Sequence, residues 1–242
     1  MPRTLIWDLP TRLLHWLFAV GFTAAAVIAL GLGEHSPLFP YHGMIGLVLA
    51  LIVVLRLVWG VVGTRHARFG SLAHGPGALA GYFKGVITGR GQRHAGHNPA
   101  SAYATIAMLA IMGGLAVTGV MLGRGNESVK EVHEVLVYSL IGVAVAHVLG
   151  LVLHTLRHRE NIGASMVHGR KHADESAGIR SSRPLATAVF LLVTGAWATG
   201  LVMAYDPATQ STTIPALGAR LQLGDADEGH GDRRHGRDQH DD

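Results

Sequence analysis

The sequence predicts an all-α integral membrane protein, and three observations carry that prediction. Five apolar stretches each reach the roughly 20 residues that a helix needs to cross a bilayer. The composition is 49% hydrophobic against 15% charged, where a soluble domain carries about a quarter charged residues. Glycine supplies 32 of the 242 residues, and small side chains let helices pack closely in lipid. The formal charge of +4 does not point to nucleic acid as a partner, because the basic residues gather in short segments between spans, where the membrane accounts for them.

The first span, Leu13–Leu32, follows Arg3 and Arg12 and includes the run Ala24-Ala25-Ala26. Its apolar length exceeds the roughly 7–15 residues of a signal-peptide core, and it contains His15 and Trp16, so a retained helix is expected. The second and third spans, Gly43–Gly63 and Ser101–Leu122, are joined by a glycine-rich, basic segment, residues 64–98. Within it Leu79, Tyr82, Phe83, Val86 and Ile87 fall partly at helical spacing, which predicts a short helix lying on the cytoplasmic membrane surface. The fourth span is Val132–Leu156 and the fifth Pro184–Tyr205. Residues 206–242 turn polar and hold too little apolar surface to fold alone, so a disordered tail is expected. Its His230, His235 and His240 are five apart and share no helix face, and solvated disorder is favoured over a weak metal site.

Arginine and lysine are distributed unevenly. Arg3 and Arg12 precede the first span; Arg65, Arg68, Lys84, Arg90 and Arg93 follow the second; Arg157, Arg159, Arg170, Lys171, Arg180 and Arg183 follow the fourth. The other two connections carry only Arg124 and Lys130. The positive-inside rule therefore predicts a cytoplasmic N-terminus and, after five spans, a periplasmic C-terminus in a bacterial inner membrane.

Cysteine is absent, which removes disulfides, iron–sulfur clusters and covalently attached haem together. Any redox centre must rest on histidine or methionine. His133 and His147 are 14 residues apart in the fourth span, close to four helical turns, so both leave the helix on nearly one face about 21 Å apart. His42 opens the second span at the level of His133, and His15 lies near the level of His147. Two height-matched pairs of imidazoles suit two stacked haems b, each needing axial ligands from facing helices. By depth alone His154, one heptad beyond His147, serves equally as partner of His15. Met44, Met108, Met112, Met121 and Met203 are expected to be packing residues.

Six segments in register resemble one family: Trp7-Asp8-Leu9-Pro10-Thr11-Arg12-Leu13-Leu14-His15-Trp16, His42-Gly43-Met44-Ile45-Gly46, Arg56-Leu57-Val58-Trp59-Gly60-Val61-Val62-Gly63, Gly96-His97-Asn98-Pro99, Val132-His133-Glu134, and Arg159-Glu160-Asn161-Ile162 with the later Gly169-Arg170-Lys171. Over about residues 5–171 the chain is similar to the prokaryotic cytochrome b561 family, which includes the b-type cytochrome subunits of nickel–iron hydrogenases. The resemblance implies a four-helix transmembrane haem-binding bundle over residues 1–171. A linker and fifth transmembrane helix (172–205) and the tail (206–242) lie outside it. It implies haem ligation by His15, His42, His133 and His147, and favours His147 over His154 as partner of His15. It also implies electron exchange with the membrane quinone pool and with a redox partner, such as an external cytochrome or a dehydrogenase or hydrogenase subunit. His154 is then expected to contact quinone or a haem propionate. Arg56, inside the second span, and Arg12, one turn before His15, are expected either to meet a propionate or to snorkel outward.

No Asp or Glu lies inside the five spans, which weighs against a proton or cation transporter. The expected activity is transmembrane electron transfer by a dihaem b-type cytochrome. The alternatives are a stand-alone superoxide:quinone oxidoreductase of the same fold and, from a different class, a histidine-based metal-ion permease or sensor.

Overall fold

The computed structural model describes residues 2–89, 94–158 and 161–224. Its helices begin where local chemistry dictates. Helix α1 (Leu9–Ala26) is capped by Asp8, whose carboxylate accepts from the Thr11 amide at 2.8 Å, and Pro10 sits in its first turn, where a missing N–H costs nothing. It continues as a π-turn, Val27–Leu32, and stops at Gly33, whose φ of 82° favours glycine. Helix α2 (Phe39–Val62) also carries a proline in its first turn. After α3 (Pro76–Thr88), Asn98 caps α4 (Pro99–Gly123) through the Ser101 amide at 2.8 Å. The long α5 (Lys130–His158), short α6 (Ser165–His168) and α7 (Pro184–Met203) complete the helices. Five segments are long and apolar enough to cross a membrane: Leu9–Leu32, Phe39–Val62, Pro99–Gly123, Glu127–Arg157 and Pro184–Met203.

Helices α1 and α2 form one packed hairpin and α4 and α5 another, with α2 against α4 joining them; α7 lies outside this group, on α1 and α2. The central cluster of Leu14, Leu49, Ile52, Val53, Trp59, Met112, Leu140 and Phe190 draws on all five. Helix α5 leans chiefly on α4. It turns one half-buried stripe inward, with His133, Leu136, Ala144, His147, Leu151 and His154 around the buried Leu140, and leaves Val135, Tyr138, Leu149 and Leu153 exposed on the lipid side. Met44 and Met112 are buried packing residues, whereas Met203 is exposed, so the packing role expected for all the span methionines fails there.

At the end of the bundle bearing the N-terminus, strand β1 (Arg3–Leu5) pairs antiparallel with β2 (Arg170–His172), closing the chain after α5 back onto its beginning. Helix α3 forms where the spacing of Leu79 to Ile87 predicts and contacts α4, leaving Ile87 exposed.

The expected disordered tail needs correction over its first part. Residues 206–224 fold as a hairpin of β3 (Ser211–Thr213) and β4 (Arg220–Gln222). Ile214, Leu221 and Leu223 bury with Met44, Leu47 and Leu201. The segment has too little apolar surface for a core of its own, but it does not need one, because the ends of α2 and α7 supply the other half. His230, His235 and His240 lie outside the described residues, as do Arg90, Arg93, Arg159 and Glu160.

Candidate functional site

His42, in the first turn of α2, and His133, in the first turn of α5, face each other with ring centres 6.4 Å apart and planes at 76°. Their hydrogen bonds fix which nitrogen is free. His42 Nδ1 lies 3.0 Å from the Ala25 carbonyl, which only accepts, so the hydrogen sits on Nδ1. His133 Nδ1 lies 2.8 Å from Thr118 Oγ1, and that hydroxyl already donates to the Gly114 carbonyl at 2.9 Å, so His133 also donates from Nδ1. Both Nε2 lone pairs are thereby left for a ligand. A metal ion held by both at roughly 2 Å would set the ring centres about 6 Å apart. Phe39 stacks on His42 at 5.5 Å, and a Cβ on Gly46, one turn further along α2, would meet nothing within 4 Å. The backbone there leaves room for a flat group beside the imidazole.

The second pair lies nearer the end of the bundle that bears the N-terminus. His15 and His147 are half-buried and within electrostatic range of each other, and His15 Nδ1 is buried without a hydrogen-bond partner among the described residues. His154 lies two turns beyond His147 on the same half-buried stripe.

Sequence reasoning missed a buried polar cap at this end. Asp8 is fully buried and accepts from the Thr11 amide, from Trp59 Nε1 at 3.2 Å and from the Thr64 hydroxyl. Arg56 is only 6% exposed, which corrects the snorkelling alternative: its guanidinium stays inside, 5.6 Å over the Phe69 ring and within range of the Asp8 charge. Its Nη1 and the Nε of Arg12 are buried without hydrogen-bond partners among the described residues. Trp7 donates to Ser165 Oγ at 3.1 Å, and its ring meets His97 edge-on at 4.7 Å. Lys171 donates to the His94 and Gly96 carbonyls at 2.9 and 3.2 Å. All six resembling segments except the two bearing His42 and His133 thus supply residues to this cap, Ile162 accepting from Ser165 Oγ at its edge. That clustering was the available signal.

Burial, reinforced by the charges of Arg56 and Lys171, pushes the His97 imidazole down to about 3. The unfolded chain binds a proton there below about pH 6.5 while the folded chain does not, so stability is lost as pH falls from about 6.5 toward 3, by at most about 1.4 kcal/mol per unit. His97→Gln is expected to flatten this slope in thermal unfolding of the detergent-solubilised protein at pH 7 and pH 5. Equal slopes in variant and parent contradict the assignment.

Five helices long and apolar enough to cross a membrane, packed about a close pair of imidazoles, define a helical membrane bundle. The family model for prokaryotic cytochrome b561 matches residues 6–169, and the chain belongs to that family. It is similar to a probable Ni/Fe-hydrogenase B-type cytochrome subunit of Rhizobium leguminosarum bv. viciae, at 21% identity over 69% of this chain and 87% of the relative. A protein of the same description from Cupriavidus necator is also 21% identical, over 69% of this chain and 86% of its own length. No solved structure matches significantly. The protein is a b-type cytochrome of the membrane, and its family implies haem b and electron transfer. The residues present fit that group. Imidazole nitrogens are free to ligate, one nitrogen each of Arg12 and Arg56 is buried without a hydrogen-bond partner among the described residues, and no cysteine exists to attach a haem covalently.

Proposed function

We propose that the protein is a dihaem cytochrome passing electrons between a redox partner and the membrane quinone pool. The observation that carries this is the approach of His42 and His133 to 6.4 Å between ring centres, with both Nδ1 hydrogens engaged. Haem, when bound, supplies the one-electron carrier. His42 and His133 hold one iron through Nε2, while the Ala25 carbonyl and Thr118 hydroxyl orient the rings and raise their basicity. His15 and His147 hold the second, on the cytoplasmic side in the orientation that the arginine distribution implies. Arg56 and Arg12 offer buried N–H groups to the anionic propionates. Leu14, Leu49, Ile52 and Leu140 keep water out of the space between the helices.

His154, nearer the cytoplasmic surface, hydrogen-bonds a quinone oxygen from its imidazole and exchanges a proton there. The redox partner is an external cytochrome or a dehydrogenase or hydrogenase subunit, and the description of the relatives supports the last of these. His154→Ala is expected to slow haem oxidation by a soluble quinone analogue at least tenfold, about 1.4 kcal/mol of barrier, with both haems retained. Wild-type quinone kinetics in a variant that holds two haems would overturn this assignment.

A further inference from the structure

Helix α7 and the β3–β4 hairpin lie beyond the family match, and the electron-transfer reading gives them no task. The hairpin occupies a particular place. Leu223 presses on Gly43, the residue after His42, so closely that a Cβ on Gly43 would stand 2.8 Å from Leu223 Cδ2. The next strand residues do the same to α4: a Cβ on Gly123, its last residue, would stand 3.1 Å from the Gln222 carbonyl and 3.3 Å from Leu221 Cβ. Strand β4 and the residue that follows it therefore bridge the ends of α2 and α4. The hairpin is itself held firmly. Thr212 Oγ1 donates to the Leu201 carbonyl at 3.0 Å, the Leu223 amide to the Gln210 carbonyl at 2.9 Å, and Gln222 Nε2 to the Thr209 carbonyl at 2.8 Å. Leu221 is 2% exposed and Leu223 8%, so this contact is core and not surface decoration.

The bridged helices are those on which one imidazole pair depends. His42 is on α2, and His133 is aligned by Thr118 of α4, on which α5 chiefly leans. Two rings that share a metal tolerate little change in separation, and helix ends are where bundles fray. The opposite end of the bundle is tied separately, by β1–β2 pairing and the Asp8 cap.

We propose that the hairpin is a brace that positions the His42/His133 pair, with Leu221 and Leu223 as its positioning residues, and that it thereby tunes the haem held there without acting on the His15/His147 haem. The proposal rests on the ligation reading above. A loosened brace lets α2 move against α4 and admits water beside the macrocycle, which stabilises the more highly charged ferric state. The potential of that haem then falls, and a small ligand gains access to its iron.

The test uses the full-length protein in detergent, with Leu221→Ala, Leu223→Ala, the conservative Leu223→Met and a truncation after Tyr205, each followed by spectroscopic redox titration and carbon monoxide binding to the reduced haems. The alanine variants and the truncation are expected to lower the potential of one haem and make it bind carbon monoxide, leaving the other unchanged, while Leu223→Met restores parental behaviour. His42→Ala in the intact chain identifies which haem is which. Unchanged potentials and no carbon monoxide binding, in variants that nonetheless unfold at lower temperature, overturn the proposal and leave the hairpin a stabilising element only. An equal shift of both haems overturns it as well. A His42→Ala protein that keeps both haems overturns the ligation reading itself, a failure distinct from the other two.

Discussion

Replacing His42 or His133 with alanine removes one haem per chain, the same haem in each case, and leaves the other spectrally intact. The expectation follows from their proximity: the ring centres stand 6.4 Å apart, and each Nδ1 is committed to a protein acceptor, which leaves Nε2 as the ligating nitrogen. The half-buried pair, His15 and His147, lies on the same two-helix hairpins but several turns away, about 21 Å along α5. Loss of one site therefore need not propagate to the other. His15→Ala and His147→Ala should define the complementary loss. If His154→Ala empties that second site while His147→Ala spares it, His154 is the ligand. Reduced-minus-oxidised spectra with haem quantitation decide between these outcomes.

Asp8→Ala is expected to be the most destabilising single change at the N-terminal end. The carboxylate is fully buried, and its loss strands the Thr11 amide, the Trp59 indole N–H and the Thr64 hydroxyl without their acceptor. An unsatisfied buried donor costs about 1–3 kcal/mol, so three of them near the low end of that range give an expected loss of about 3–5 kcal/mol. Arg56 also loses the negative charge nearest its buried guanidinium. Asp8→Asn keeps one acceptor oxygen but turns an NH2 toward two donors, and is expected to fall between. Thermal unfolding of the solubilised protein measures both. A loss for Asp8→Ala within about 0.5 kcal/mol, the range of an ordinary surface change, contradicts this account of the cap.

The spans were legible because crossing a bilayer imposes one strong local rule, continuous apolarity over about 20 residues. The spans placed by apolarity start two to four residues inside helices α1, α2, α4 and α5, the first three of which carry a proline in the first turn. The inward stripe of α5 was legible too, since helical periodicity alone brings His133, His147 and His154 to one face. The hairpin was not. Its burial belongs to the ends of α2 and α7, and a segment read alone as Ser211, Thr212 and Thr213 followed by Arg220, Leu221 and Gln222 looks polar. The cap escaped for a related reason. Only the fold brings Trp59 and Thr64, more than 50 residues away, onto the Asp8 oxygens. Arg56 was ambiguous because length and position allow a snorkelling side chain, and only the packing of Phe69 over it closes that route.

The central claim is that this bundle holds two haems through four histidines. Purified protein from haem-sufficient cells, assayed by pyridine haemochrome against amino-acid quantitation, measures it directly. The account predicts a non-covalent haem b content near two per chain, extracted completely by acidified acetone. A ratio near one, with no loss on His15→Ala and His147→Ala, contradicts the second site, and a ratio near zero contradicts the whole.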